Sequence, residues 1–558
     1  MSGPSADELM FLPLGGAGEI GMNLNLYGHA GQWLMVDLGV SFGDDSMPMI
    51  DVVMADPQWI ADRRDQLAGL VVTHGHEDHV GAVAYLWPRL RCPVYATPFA
   101  AAILMGKLHE VSLHNDVPVH VVALGSRFQV GPFAVEMVSL TPSIPEPNAL
   151  AIRTAAGTVL HTGDWKFDPE PLVGAPADTE ALARLGEEGV LALVGDSTNV
   201  FTPGQSGSEA QVRRHLTGLL ERYHGRVAIS CFATNVARLQ TIALAAEACG
   251  RSVALVGRSL WRIEKAAREL GYLGDIAPFL TDHDAGHLPA DKIVYLCTGS
   301  QGEPRAALAR IASGDHPAVS LGAGDVVLFS SRIIPGNEKA IFRLQNDLVR
   351  LGVEVVTDRD EPIHVSGHPA RAEMEAMYQL VRPRIAVPVH GEARHIREHC
   401  ILARSCQVPQ AVAVENGAML RLAPGPVEIV DHVPTGRLAV DGRTLDGDIR
   451  LVRLDSAVLR DRRRMVFNGS CVCTVVVSRK GALVGEPQVT ALGLLDAEHF
   501  AEEHDAVVEA ARDAFTELPL SARQDDAAAA EAVRRAVRRQ LKLMLDHKPI
   551  TTVHLVRL

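Results

Sequence analysis

Three histidines and an aspartate crowd the turn Thr73-His74-Gly75-His76-Glu77-Asp78-His79, directly behind the apolar run Leu70-Val71-Val72. Neutral imidazole nitrogen and carboxylate oxygen suit borderline divalent metals such as zinc, and a turn leaving a buried strand gathers them at one end of a sheet. Glu77 is expected to point elsewhere, because a tight turn cannot aim every side chain at one place. Hydrolysis at such a metal requires further ligands from distant parts of the chain. Asp164, in His161-Thr162-Gly163-Asp164, ends a strand pair on a glycine turn and is well placed to bridge two metals. Gly195-Asp196-Ser197-Thr198-Asn199 repeats that design, and metal-type residues resume at His364-Val365-Ser366-Gly367-His368 and Pro388-Val389-His390-Gly391-Glu392. Asp37, ending the strand Trp33-Leu34-Met35-Val36, has two readings: a group that orients a metal ligand, or a plain strand-ending turn.

The elements that must position these groups alternate between strand and helix. Residues 10–42 read as strand, glycine-rich turn, strand and strand. Leu14 to Gly21 looks like a nucleotide-type glycine loop, but no long helix opens after it and Asn23-Leu24-Asn25-Leu26-Tyr27 alternates like a strand. A dinucleotide site is therefore rejected in favour of tight backbone packing near a pocket. A helix over 80–90 and strands over 93–96 and 119–138 follow. From Ser206-Gly207-Ser208-Glu209 onward, helices 210–223, 236–249 and 260–270 alternate with strands 226–230, 253–256, 293–296 and 325–329, which implies an inserted α/β domain. The expected division is 1–206, 207–355, 356–430, a linker over 431–447 rich in Pro, Gly and Asp, and a final domain over 448–558. That last domain is expected to hold strands 449–454, 472–477 and 551–556 and helices 498–516 and 526–545.

At 558 residues the chain needs several cores, and 47% hydrophobic with 22% charged residues is the balance of a soluble globular protein. No apolar run is long enough to span a bilayer, and Met1 to Leu9 has no signal core, so a cytoplasmic location is expected. The eight scattered cysteines form no C-x-x-C pair, which argues for a reducing compartment and against a cysteine-built zinc ribbon. A net charge of −14 is neutral on nucleic-acid binding, since a metal carries its own charge and basic residues can line one groove. Arg460, Arg462, Arg463 and Arg464 read as a basic strip facing a substrate or only a solvated loop. The same two readings cover Arg534, Arg535, Arg538, Arg539 and Lys542, whose spacing suits one or two helix faces, and the solvated face is favoured for most of them.

With these pieces assembled, the chain resembles the ribonuclease J family, β-CASP members of the metallo-β-lactamase superfamily. Leu14 to Gly21, Asp37, His74 to His79, Thr162 to Asp168 and Gly195 to Asn199 carry the lactamase half of the resemblance. Gly207-Ser208-Glu209, Phe232 to Arg238, Gly299 to Pro304 and Ser330 to Asn337 carry the β-CASP part, and His364 to His368 with Pro388 to Glu392 return to the cleft. The resemblance implies an α/β fold: an αββα lactamase sandwich, an inserted β-CASP domain and a small C-terminal α+β domain. It implies a two-zinc hydrolase, with manganese or magnesium as other candidate ions, that cleaves RNA internally and degrades it from a 5′-monophosphorylated end. It further implies a homodimer or homotetramer with no membrane partner.

Carried over by residue, the resemblance makes His74 and His76 ligands of one zinc and Asp78 and His79 ligands of the other. Asp164 bridges them and His390 completes the second ion. Asp78, Asp164 and His368 are the catalytic candidates, Asp78 or Asp164 holding the attacking water and His368 approaching the scissile phosphate. His364, Val365, Ser366, Gly367 and His368 are the substrate-binding candidates. One departure stands out: the family places a histidine where this chain has Pro142, which has no donor atom. His161 is no obvious substitute, so the His74/His76 site is expected to be the weaker. The competing readings are a catalytically impaired RNA-binding paralogue and a small-molecule metallo-hydrolase; the inserted domain and His364 to His368 count against the latter.

Overall fold

The structure, a computed structural model, describes residues 4–44, 46–141, 144–334, 336–496 and 498–558. Pro142 and Ser143 lie outside the described residues. The chain separates into two compact units: 4–41 with 53–437, and 42–52 with 438–558, apart from the undescribed positions.

In the first unit two sheets stack face to face. The strands Leu9–Gly15, Leu24–His29, Gln32–Val36 and Leu67–Val71 lie side by side in one sheet. Phe133–Ser139, Asn148–Thr154, Gly157–His161, Ala192–Asp196 and Ile385–Val389 are consecutive neighbours in the other. Phe11, Tyr27, Val36 and Val71 from the first meet Phe133, Leu150, Ile152, Val194 and Val387 from the second in one core. Strands this apolar are what a sheet covered on both faces demands. The helices Thr179–Glu188, Arg371–Val381 and Ala393–Ser405 cover the outer face of the second sheet through Leu182, Leu185, Met374, Tyr378 and Leu402. Pro98–Glu110 packs on the far strands of the first sheet, burying Phe99 and Leu104. The result is the expected αββα sandwich.

The insertion is a separate parallel sheet, ordered Leu280–Thr281, Ser252–Val256, Ile293–Cys297, Val227–Ser230, Val326–Phe329 and Glu354–Val356. Its helices include Glu209–Arg222, Val236–Ala248, Arg258–Glu269 and Glu338–Arg350. The first of these is capped by Ser208, whose hydroxyl accepts from the Ala210 amide. Glu209 faces the fully buried Arg238.

In the second unit, Ser470–Val477 pairs with Gln488–Leu492 and Ile550–Arg557. Cys471, Cys473, Val475 and Val477 are the buried alternate residues of the central strand. Against them the helix Asp526–Leu545 sets Ala529, Val533, Val537 and Leu541, a four-residue stripe. Two expectations need correction. Residues 431–447 are no bare linker: Arg437–Arg443 is a strand antiparallel to Ile449–Arg453, and Leu438 and Ala439 are buried in it. Arg460 to Arg464 lie on the helix Ala457–Asn468 rather than in a loop, and Arg462 there forms a two-pronged pair with Asp441.

Candidate metal centre

The cluster sits where strand ends from both sheets converge. Leu67–Val71 runs into the histidine turn, which is held from below by Asp37 at the end of the neighbouring strand. Asp37 is fully buried at a positive φ of 63° and accepts from the Thr73 amide at 2.8 Å, the Thr73 hydroxyl at 2.9 Å and His79 Nδ1 at 2.7 Å. Of its two readings, the orienting one describes this geometry: the carboxylate engages Nδ1 and leaves His79 Nε2 for the cluster. Gly39 must be glycine, since a Cβ there would lie 1.7 Å from the Asp78 carbonyl oxygen. Glu77 points away and pairs with Lys107 at 2.6 Å.

His79 Nε2 lies 3.1 Å from Asp164 Oδ1 and 3.6 Å from Asp78 Oδ2, and His390 Nε2 lies 3.1 Å from that same Asp78 oxygen. Asp78, His79, Asp164 and His390 thus offer four ligand atoms within 4.8 Å of one another. His74 and His76 face the other carboxylate oxygen, at 3.6 and 3.7 Å from Asp164 Oδ2, and these three form a second group. His390 comes from the second sheet's strand end, where its amide donates to the Gly16 carbonyl at 2.6 Å. The glycine turn is therefore packed against a member of the cluster.

Asp196 is a residue the sequence reading quoted in its strand-end turn but gave no role. Its Oδ2 lies 2.7 Å from His368 Nδ1 and its Oδ1 3.5 Å from His390 Nδ1. The signal was present, because Gly195-Asp196 ends a strand in the same way as Gly163-Asp164. Asn199 was passed over too: its amide donates to Ser366 Oγ at 2.8 Å and to the His368 carbonyl at 3.2 Å. The loop of His364, Val365, Ser366, Gly367 and His368 is thereby tied to the cluster. Val365 packs over Gly207, 3.0 Å from where a Cβ would stand, and Ser366 Oγ accepts from the His368 amide. His161 sits beneath the cluster with Nδ1 held by the Tyr27 hydroxyl at 2.9 Å.

The charge balance suits a cation. Burial pushes His74 down to about 4, helped by the neighbouring His79, so its imidazole is neutral and can offer a lone pair. Burial works against ionising Asp164, but His79, His390 and His368 outweigh it and hold the carboxyl well below its usual range. Burial likewise opposes protonation of His79 and His390, yet the surrounding carboxylates raise both well above the ordinary histidine value. Carboxylates so close that they draw protons onto neighbouring imidazoles, Asp78 and Asp164 onto both, are what a bound cation would neutralise. Asp164 Oδ1 is buried with no well-aligned hydrogen bond and faces the ring nitrogens of His79 at 3.1 Å and His390 at 3.4 Å, an arrangement that suits an oxygen serving as a ligand. The nitrogen and oxygen donors present fit a divalent metal.

The sequence matches the Metallo-beta-lactamase superfamily over 21–218 and the Zn-dependent metallo-hydrolase RNA specificity domain over 352–408. It matches the Ribonuclease J beta-CASP domain over 224–348 and the Ribonuclease J C-terminal domain over 457–558. A Ribonuclease J from Sinorhizobium meliloti is 45% identical over 99% of this chain and 98% of that one. One from Mycolicibacterium smegmatis is 40% identical over 94% and 93%. A solved protein of unknown function from Enterococcus faecalis V583 shares the fold at a TM-score of 0.51, with 15% identity over 74% of this chain and all of that one.

Proposed function

The chain belongs to the ribonuclease J family and is a metal-dependent ribonuclease, and we propose that it both removes nucleotides from the 5′ end of RNA and cuts it internally. The observation that carries this reading is the convergence on Asp164 of two histidine groups and the His368–Asp196 pair. We assign His74, His76 and Asp164 to one cation and Asp78, His79, Asp164 and His390 to a second, with zinc first and manganese or magnesium as alternatives. Divalent cations there would activate water and shield the scissile phosphate. Asp78 or Asp164 holds the attacking water in line. His368, whose Nδ1 is engaged by Asp196, has Nε2 left to donate a proton at the leaving oxygen. Burial opposes its protonation, but Asp196 and Asp164 prevail and raise its pKa.

His364, Ser366 and the backbone of Gly367, with Val365 packed behind them, hold a substrate phosphate. His364 Nδ1 is buried without a partner, and burial together with Arg238 and Arg332 pushes this imidazole well down. The same cations that discourage a proton favour a phosphate. A preference for a 5′-monophosphate, a homodimeric or homotetrameric state and the bounds of the inserted domain at 207 and 356 belong to this reading on family grounds. A cytoplasmic location is supported by eight unpaired cysteines, and no helix among the described residues is long and apolar enough to cross a membrane.

Pro142 makes the two cation positions unequal: with three protein ligands against four, the His74/His76 position binds more weakly. Metal analysis of the purified protein beside Pro142→His tests this, and equal, full occupancy in both proteins would refute it. Assays on 5′-monophosphorylated, 5′-triphosphorylated and circular RNA test the activity. Mononucleotide release from the first and cutting of the circle are expected. Failure to cut the circle removes the internal activity, and binding without turnover in added zinc or manganese points to the impaired paralogue that Pro142 suggests.

A further inference from the structure

Tyr272 of the inserted domain reaches the segment behind the His74/His76 side of the centre, and Pro142 makes that side the vulnerable one. Tyr272, just beyond the helix Arg258–Glu269, donates its hydroxyl to Glu146 Oε1 at 2.6 Å. The other oxygen of Glu146 accepts from the Phe99 amide at 2.7 Å, in the first turn of Pro98–Glu110. The two rings meet edge-on, with Phe99 and Tyr272 centroids 6.1 Å apart, and Arg262 reaches Glu110 at 2.7 Å along the same seam. One carboxylate thus joins a lactamase helix to the inserted domain.

Glu146 belongs to the segment that backs the histidine turn. Ile144 lies 3.4 Å from where a Cβ on Gly75 would stand, between His74 and His76. The Asn148 amide donates to the Thr73 carbonyl at 3.3 Å, and the Asn148 side chain donates to the Glu146 carbonyl at 2.7 Å. Pro142, Pro145 and Pro147 have no N–H to contribute. Glu146 also holds a positive φ of 62°, a conformation that persists only where the surroundings enforce it. The carboxylate contacts supply that enforcement.

We propose that Tyr272 is a positioning residue: its bond to Glu146 sets the 144–148 segment against His74-Gly75-His76 and so tunes metal affinity at the His74/His76 position. This rests on the assignment of His74, His76 and Asp164 to a cation. Zinc titration of the metal-free, full-length protein tests it, with two binding classes expected and the weaker one identified by its loss in His76→Ala. Tyr272→Phe keeps the ring against Phe99 and removes only the hydroxyl. It should weaken that class about tenfold, the size of one buried hydrogen bond to a charged group, and leave the tighter class unchanged. An unchanged weaker class, or equal weakening of both, overturns the proposal. A weaker class that survives His76→Ala, or its absence from the unsubstituted protein, overturns the metal assignment itself.

Discussion

Asp196 is the residue on which the reading of the site depends most beyond the metal-type groups themselves. It is buried, it engages His368 Nδ1, and it accepts the Thr198 amide at 2.8 Å. Asp196→Asn keeps the shape but removes the charge that favours a protonated His368. We expect RNA cleavage to fall on the order of 100-fold, the usual scale of one lost acid–base contribution, with RNA affinity retained. Comparison of kcat with binding checks this. A few ångströms away, His399 is buried between Ser197 Oγ and the Tyr378 hydroxyl, each at 2.9 Å. Burial pushes it down to about 4 from an ordinary value of 6.5. The unfolded chain takes up that proton as pH falls through 6.5, while the folded chain refuses it until about 4. Stability is therefore lost over that window, at about 1.4 kcal/mol per pH unit for this group. Urea unfolding at several pH values should show a shallower acid slope for His399→Gln than for the unsubstituted protein.

At the scale of elements, the insertion is pinned at its root by a buried ion pair. Arg238, on Val236–Ala248, meets Glu209 at 2.5 and 2.9 Å and donates to the Ser330 carbonyl, the Ser330 hydroxyl and the Ile363 carbonyl. Four segments meet at one guanidinium, and the last leads directly into His364. Glu373 does the same for the chain crossings, accepting from Phe167, Ser206 and Ala370 amides. Arg238→Met leaves Glu209 charged and buried, and should cost about 3–5 kcal/mol. Adding Glu209→Leu removes the orphaned charge and should recover much of it, which chemical unfolding of the single and double variants will show.

For the whole molecule the relevant fact is that the two units have separate cores. Phe515 is fully buried in the core of the second unit with Val507 and Val533. Phe515→Ala should lower that unit's stability by about 3–5 kcal/mol. Calorimetry should record an earlier transition, while metal content of the first unit stays that of the unsubstituted protein. Loss of metal in parallel would contradict independent cores.

Much of this was legible in residue order. The turn His74 to His79, the strand-ending Asp164 and the alternation of the insertion are local patterns, and strands such as Val227–Ser230 and Ile293–Cys297 fall within a residue of where periodicity places them. The helices Arg371–Val381 and Ala457–Asn468 are not visible in residue order, because the first starts just behind Pro369 and the second is dominated by arginines. Identity of the donors and the lack of one at Pro142 are properties of sequence alone. Tertiary structure alone decided that Asp196 belongs to His368, that Glu209 pairs with Arg238, and that Tyr272 touches Glu146. Those partners are 172, 29 and 126 residues apart, and only the stacking of sheets and the return of the insertion bring them within hydrogen-bonding distance.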